Sequence, residues 1–324
     1  MSYISITGIS ALQFWLNGNN DTDPYCYDHR VLSSLPHKWF FQDDIDIAET
    51  IADKYGISLP LIIQSTDIKV RIRQKKIRSS LLSSHIPKNS FICIDQLSGN
   101  IPVYIACPEY CFLNAASHLS FLELIQLGYT LCSGYVQADN QYGQRSRCPL
   151  TCVQSVSDYL NRCSGFPGIK NARRALQYIK DGSNSPMETK ISMALTLPVS
   201  SGGFGMPGHQ LNKPAQLSSK GYEYLGYECI CDFLWTERKI VVEYDSKLTH
   251  LSPDQHARDK RRLTALTISG YKVFTITSDF LRNFSTLQET FFQLRHILKM
   301  KPLKKKFQTY LDQRYELFRF LLGH

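Results

Sequence analysis

Three carboxylates, Asp232, Glu243 and Asp245, interrupt two short runs that otherwise look like buried strands, Cys229-Ile-Cys-Asp-Phe-Leu-Trp235 and Ile240-Val-Val-Glu-Tyr-Asp245. The β-branched and aromatic types in both runs favour strands, and the polar Thr236 to Lys239 between them turns the chain, so the pair reads as an antiparallel hairpin. With a four-residue turn Trp235 pairs with Ile240, and counting back sets Asp232 opposite Glu243 at a Cβ separation of about 4.5 to 5.5 Å. Asp245 follows on the face of Glu243 because side chains alternate along a strand. Carboxylates opposed in an apolar sheet repel each other, and each costs several kcal/mol to desolvate. A hard divalent cation compensates them: Mg²⁺, with Mn²⁺ as its substitute, is held by one or two carboxylates together with waters and substrate phosphates. A lone acid in such a strand is ordinarily a solvated strand end. Three on one face call for chemistry, provided the register holds, since a slip of one residue destroys the alignment.

The segments around the hairpin must position it. After His250, Asp254 to Ser269 reads as a helix in which Arg258, Arg261, Arg262 and Ala265 share one face and Leu263 and Leu266 another, and Gly270-Tyr-Lys-Val-Phe-Thr-Ile-Thr reads as a further strand. Leu287, Phe291, Leu294 and Leu298 recur at helical spacing, predicting a closing helix from about Ser285 to Met300 with Ser285 as N-cap. Upstream, Lys170 to Ile179 is helical, and Ser185-Pro-Met-Glu188 opens a second helix with Pro186 at its first position and Glu188 in its first turn. Ser200-Ser-Gly-Gly-Phe-Gly-Met-Pro-Gly208 carries too many glycines for regular structure and reads as a mobile loop beside the hairpin. It lacks the Gly-Lys-Ser/Thr ending of a phosphate-binding P-loop.

Asp232, Glu243-Tyr-Asp245-Ser, His250, Asp259-Lys-Arg-Arg262 and Gly270-Tyr-Lys-Val together resemble the carboxylate core of the PD-(D/E)XK nuclease superfamily, in the branch of very-short-patch-repair (Vsr-like) endonucleases. The resemblance implies an α/β fold: a restriction-endonuclease-like domain with a central mixed sheet flanked by helices. It also implies a metal at the hairpin held by Asp232 and Glu243 and joined by Glu188 from the upstream helix. The superfamily carries a lysine two residues after the motif glutamate, to orient or deprotonate the attacking water, whereas Asp245 stands there in this chain. Vsr-like sequences share an acid at this point and carry a nearby histidine, which makes His250 the expected proton-transfer group, ahead of Lys247. Arg258, Lys260, Arg261 and Arg262 are the expected contacts to DNA phosphates.

Composition fits this reading. The 324 residues suit two domains, and 43% hydrophobic content allows sizeable cores. No apolar stretch approaches the roughly 18 to 20 residues of a membrane span, and no basic segment followed by a long apolar one opens the chain, so a cytoplasmic protein without a membrane partner is expected. The net charge is +9, and from Lys239 onward sixteen Lys and Arg face eight Asp and Glu, so the basic field belongs to the nuclease-like end and favours a polyanionic partner. Ten cysteines include the four-apart pairs Cys107/Cys111 and Cys148/Cys152 and the alternating Cys229/Cys231, none with the Cys-x-x-Cys spacing of structural zinc. They read as small buried apolar residues.

The boundary is expected near residue 165, after the break Ser164-Gly-Phe-Pro-Gly168, giving a mixed α/β recognition or regulatory domain over 1–165 and the nuclease-like domain over 166–300. In the first, Ser10 to Trp15 and Ile45 to Tyr55 look helical, Leu59 to Gln64 and Phe91 to Ile94 look like strands, and helices are expected from Glu109 to Leu119 and from Phe121 to a stop at Gly128. The run from Ile57 to Leu131 resembles, by pattern and without a diagnostic motif, the AbiEi-type antitoxins of abortive-infection systems. Residues 301–324 form a basic linker and an amphipathic helix whose stripe Phe307, Tyr310, Leu311, Tyr315, Phe318 and Leu322 is expected to dock on the protein itself or on a second copy. That helix and the N-terminal domain are the expected contacts for a homodimer or a protein partner. Two functions follow: a metal-dependent endodeoxyribonuclease in DNA repair or defence against foreign DNA, or a non-cleaving DNA-binding regulator similar to an antitoxin.

Overall fold

Alternating apolar runs separated by capped helices give an α/β chain, and the computed structural model divides it into two compact units, Met1–Ile179 and Lys180–His324. It describes residues 4–17, 43–65, 77–81, 86–87, 89–97, 101–136, 145–245, 253–278, 283–301 and 310–322.

The first unit is built on a five-stranded mixed sheet, with β1 (Ile4–Ile6), β2 (Leu61–Ser65), β3 (Ile77–Leu81), β4 (Phe91–Leu97) and β5 (Ile101–Ala106) in the order β3-β2-β1-β5-β4. Its helices are α1 (Gly8–Leu16), α2 (Asp43–Tyr55), α3 (Pro108–Ala115), α4 (Phe121–Leu131), α5 (Val153–Asn161) and α6 (Ile169–Leu176). The two-residue strands β6 (Tyr135–Val136) and β7 (Arg145–Ser146) form a separate pair. Ser120 starts α4 with a reciprocal capping box to Glu123, the arrangement that satisfies two orphan N–H groups at once. Gly128 does not stop this helix, which continues to Leu131. A Cβ at 128 would lie 2.1 Å from Cδ1 of Ile179, so this glycine admits a neighbouring side chain and terminates nothing.

That contact also explains why the division falls at 179/180 and not near 165. The helix α6 belongs to the first unit: Gly168 before it lies against the backbone of Ala116 and Ser117, and Arg173 donates to the carbonyls of Leu160 and Cys163 at 2.9 and 3.0 Å. The Ser164–Gly168 break is a tight turn inside one core.

The second unit holds a four-stranded mixed sheet, β11-β10-β9-β8, made of β8 (Gln210–Pro214), β9 (Ile230–Trp235), β10 (Ile240–Asp245) and β11 (Lys272–Thr277). The first three pair antiparallel, and β11 returns parallel to β10 after the crossover helix α9 (Pro253–Ile268). The short α8 (Ser219–Leu225) packs on α9, where a Cβ at Gly221 would meet the Ala265 carbonyl at 2.9 Å. Cys229, Cys231, Leu234, Val241, Ala265, Leu266 and Tyr271 form the core beneath them. The inward face of α9 is therefore Ala265, Leu266 and Ser269, while Leu263, expected beside Leu266, is 49% exposed.

The helices α7 (Pro186–Thr196), α10 (Phe284–Ile297) and α11 (Leu311–Leu322) complete the unit. The N-cap of α10 is Asn283, whose side chain accepts from Ser285 and Thr286, so Ser285 lies inside the first turn. The buried face of α11 is Arg314, Leu317, Phe318 and Leu321, with Phe318 and Leu321 beside Ile191 and Ala194 of α7 and Leu287 and Phe291 of α10, so 310–322 is part of this unit; of the expected stripe Phe318 is buried, Tyr315 is 49% exposed, and Phe307 lies outside the described residues. The glycine-rich segment is not a loose loop: Phe204 and Met206 are buried, Arg295 donates to the Phe204 carbonyl, and Gly202 and Gly203 lie where a Cβ would strike the backbone carbonyls of Gln313 and Leu197. Glycine is used here for close approach of backbones, with Gly202 also at φ +83°.

Candidate active site

The hairpin forms in the expected register. Trp235 pairs with Ile240, Leu234 with Val241 and Phe233 with Val242, around a single 3₁₀ turn at Thr236–Arg238 closed by Lys239 in the left-handed region. The ladder ends there. One step further on, the side chains of Asp232 and Glu243 replace the carbonyls: the Asp232 N–H donates to Glu243 Oε2 at 3.3 Å, and the Tyr244 N–H donates to Asp232 Oδ2 at 2.8 Å. Each acid is thus oriented by the backbone of the opposite strand, a geometry that simple alternation did not foretell.

Both carboxyls are half-buried, and burial raises the affinity of each for a proton. Glu243 is pushed up to about 8, first by desolvation and then by the charge of Asp232, with Arg262 pulling the other way. Asp232 is raised by burial in spite of the Tyr244 N–H, the hydrogen bond it shares with the Glu243 carboxyl, and Arg262. At neutral pH the pair therefore retains a proton between its two members, because like charges so close do not both ionise.

Arg262 from α9 supplies the adjacent positive charge. Its Nη2 lies 3.3 Å from Glu243 Oε1 and 2.6 Å from the Ile230 carbonyl, with side chains 33% and 21% exposed for Arg262 and Glu243. It was expected to reach outward to phosphate and instead turns inward on the acid. Arg258, Lys260 and Arg261 remain exposed, although Arg261 also touches the Tyr224 carbonyl at 3.4 Å. Arg262 further stabilises the Cys229 thiolate, whose pKa is lowered chiefly by the Cys231 thiol against the cost of burial.

Glu188 sits where its N-cap signature placed it. Ser185 caps α7 by accepting from the Glu188 N–H, and Glu188 Oε2 accepts from the Asn184 N–H at 2.8 Å and from Asn212 Nδ2 at 2.5 Å. Burial raises its pKa, the hydrogen bonds with Asn184, Asn212 and Ser185 oppose that, and the charge of Asp232 adds to it. Glu188 thus feels Asp232 while remaining tethered away from the pair. Asn212, in the left-handed region at φ +49° and also bonded to the Gly182 carbonyl, is the residue that sequence reasoning missed. Asparagine is one of the few residues that adopts this conformation readily.

Among the described residues no group of three or more His, Cys, Asp or Glu side chains gathers as a metal-holding set. What the fold brings together is two carboxylates, a guanidinium and a tethered third acid. Asp245 ends β10, opposite Thr277 of β11. His250 and Lys247 lie outside the described residues.

A Ser192–His209 pair also has the form of a nucleophile and its base, with Oγ to Nε2 at 2.8 Å and Nδ1 to the Met206 carbonyl at 3.3 Å. Both residues are buried, and burial together with Lys180 pushes His209 down to about 3. With no access for a substrate, this pair is internal hydrogen bonding under Trp235 and Phe233.

No family model matches the chain, and neither the curated proteins nor the solved structures provide a match. No helix among the described residues is long and apolar enough to cross a membrane.

Proposed function

We propose that the second unit is a metal-dependent endodeoxyribonuclease that hydrolyses phosphodiester bonds, a member of the PD-(D/E)XK class similar to Vsr-like endonucleases. The Asp232–Glu243 pair carries this reading: two half-buried acids that share a proton beside one guanidinium, a place where a hard cation would exchange for the proton. Asp232 and Glu243 would hold Mg²⁺ or Mn²⁺, hard cations that one or two carboxylates bind together with water and phosphate oxygens, and Glu188 would add a third negative charge. When bound, such a cation supplies Lewis-acid charge at the scissile phosphate and activates water.

The chain does the rest. The N–H groups of Asp232 and Tyr244 fix the orientation of the carboxylates, so little reorganisation is needed on loading. Arg262 holds positive charge beside the position of the reacting phosphate, and Arg258, Lys260 and Arg261 neutralise its neighbours. Proton transfer falls to Asp245 or His250. The role is repair or defence against foreign DNA in the cytoplasm, with the first unit selecting the target or partner.

Asp245, standing where the class carries a lysine, supports a second reading: a DNA-binding regulator, similar to an AbiEi-type antitoxin, whose nuclease-like unit does not cut. Supercoiled plasmid incubated with the full chain and Mg²⁺ or Mn²⁺ separates the two. Nicking that disappears in both Asp232→Ala and Glu243→Ala, with circular dichroism unchanged, supports the enzyme. Retardation of DNA without cleavage under the same conditions refutes it.

A further inference from the structure

The exposed apolar side chains of the second unit are not scattered. Of the seven large ones among its described residues, six lie on α8, on α9, or between them at Tyr227 and at Ile230, the first residue of β9. Tyr224 at 44%, Tyr227 at 46% and Ile230 at 43% exposure follow one another along the chain toward Asp232. The backbone at both ends of this run is held by α9: Arg261 donates to the Tyr224 carbonyl, and Arg262 donates to the Ile230 carbonyl and to Glu243 with the same nitrogen. One guanidinium therefore joins this row of side chains to the carboxylate pair. Tyr222 stands apart, since a step of about 100° per residue puts it and Tyr224 on opposite flanks of the buried stripe Gly221/Leu225.

Resting on the proposed nuclease site, we infer that Tyr224, Tyr227 and Ile230 form a stacking track that delivers an unpaired DNA strand to Asp232 and Glu243, so that the preferred substrate is single-stranded DNA or DNA with an unpaired segment. Every base has an apolar face that an exposed tyrosine can cover, and in a duplex those faces are already stacked on one another. Charge points the same way. On α9 Arg258, Lys260 and Arg261 are exposed, the positive charge that a strand backbone needs beside the faces on which its bases stack. Two exposed tyrosines in a run whose ends are anchored on a helix suit stacking, because less ordering remains to be done when the strand arrives.

Fluorescence anisotropy of a labelled thymidine 20-mer, alone and annealed to its complement, with the full chain in EDTA tests this. The chain is expected to bind the single strand at least ten-fold tighter than the duplex. Tyr224→Ala and Tyr227→Ala should each weaken single-strand binding about five-fold or more, Tyr224→Trp should retain it, and Tyr222→Ala should leave it unchanged. Equal affinity for both forms, or loss equally in Tyr222→Ala, overturns the track, as does absence of binding to either form. These outcomes are independent of cleavage. A track that binds in a chain that never nicks plasmid refutes the nuclease reading alone, and nicking without single-strand preference refutes the track alone.

Discussion

Replacing Glu243 by glutamine should make the metal-free protein more stable at alkaline pH while abolishing nicking. The folded chain raises Glu243 from 4.5 to about 8, so the native state holds its proton more tightly than the unfolded chain does. Stability from this group is present in full below about pH 4.5 and is lost as pH rises through 8, because the unfolded state then releases the proton at less cost. A tenfold change in proton affinity is worth about 1.4 kcal/mol, so the loss between pH 5 and pH 9 is on the order of 3 to 5 kcal/mol. The amide of Glu243→Gln keeps an oxygen for the Asp232 N–H and does not titrate. Arg262 loses its ion pair but keeps the Ile230 carbonyl, and a pair one-third exposed on the arginine side contributes only about 0 to 1 kcal/mol. The variant should therefore match the wild type at pH 5 and exceed it by about 2 to 5 kcal/mol at pH 9, which for a unit of this size is a rise of roughly 4 to 20 °C in its transition. Calorimetry of both proteins in EDTA at pH 5, 7 and 9 reads this directly, and excess Mg²⁺ at pH 8 should raise the wild type alone. Wild-type stability that is flat from pH 5 to 9, or a variant less stable at pH 9, would refute the reasoning.

Two further substitutions probe the supports of the site. Asn212→Gly keeps the left-handed backbone but removes the donor to Glu188 and to the Gly182 carbonyl, so it should cost about 1 to 2 kcal/mol and raise the Glu188 pKa further. Denaturation midpoints should then fall more steeply as pH increases above 4.5, and an unchanged slope would remove Asn212 from that role. Gly202→Ala places a Cβ 2.3 Å from the Gln313 carbonyl at φ +83°, so it should loosen α11 and cost more than about 2 kcal/mol. Limited proteolysis within Leu311–Leu322 should accelerate, and wild-type resistance would count against tight docking of that helix.

The residues that the sequence placed are those governed by short-range rules. Period-two alternation and a four-residue polar turn sufficed to set Trp235 against Ile240, and past the end of that ladder Asp232 meets Glu243 through side-chain bonds to the opposite backbone. Ser185-Pro186 sufficed to put Glu188 in the first turn of α7. The α/β class followed in the same way, from helix and strand periods that alternate along the chain. Packing between distant segments decided the rest. Gly128 reads locally as a stop, yet Ile179, 51 residues away, makes it a helix interior. The glycines of Ser200–Gly208 read locally as freedom, yet Gln313 and Arg295 make them a tight bed for α11 and α10. Asn212 reaches Glu188 across 24 positions and Arg262 reaches Glu243 across 19, and no periodicity encodes either contact. By itself the sequence determined which acids face each other, because register is a property of neighbouring residues. Only the tertiary structure decided their burial, and hence the proton they share and the guanidinium beside them, because desolvation depends on what the whole chain packs around the site.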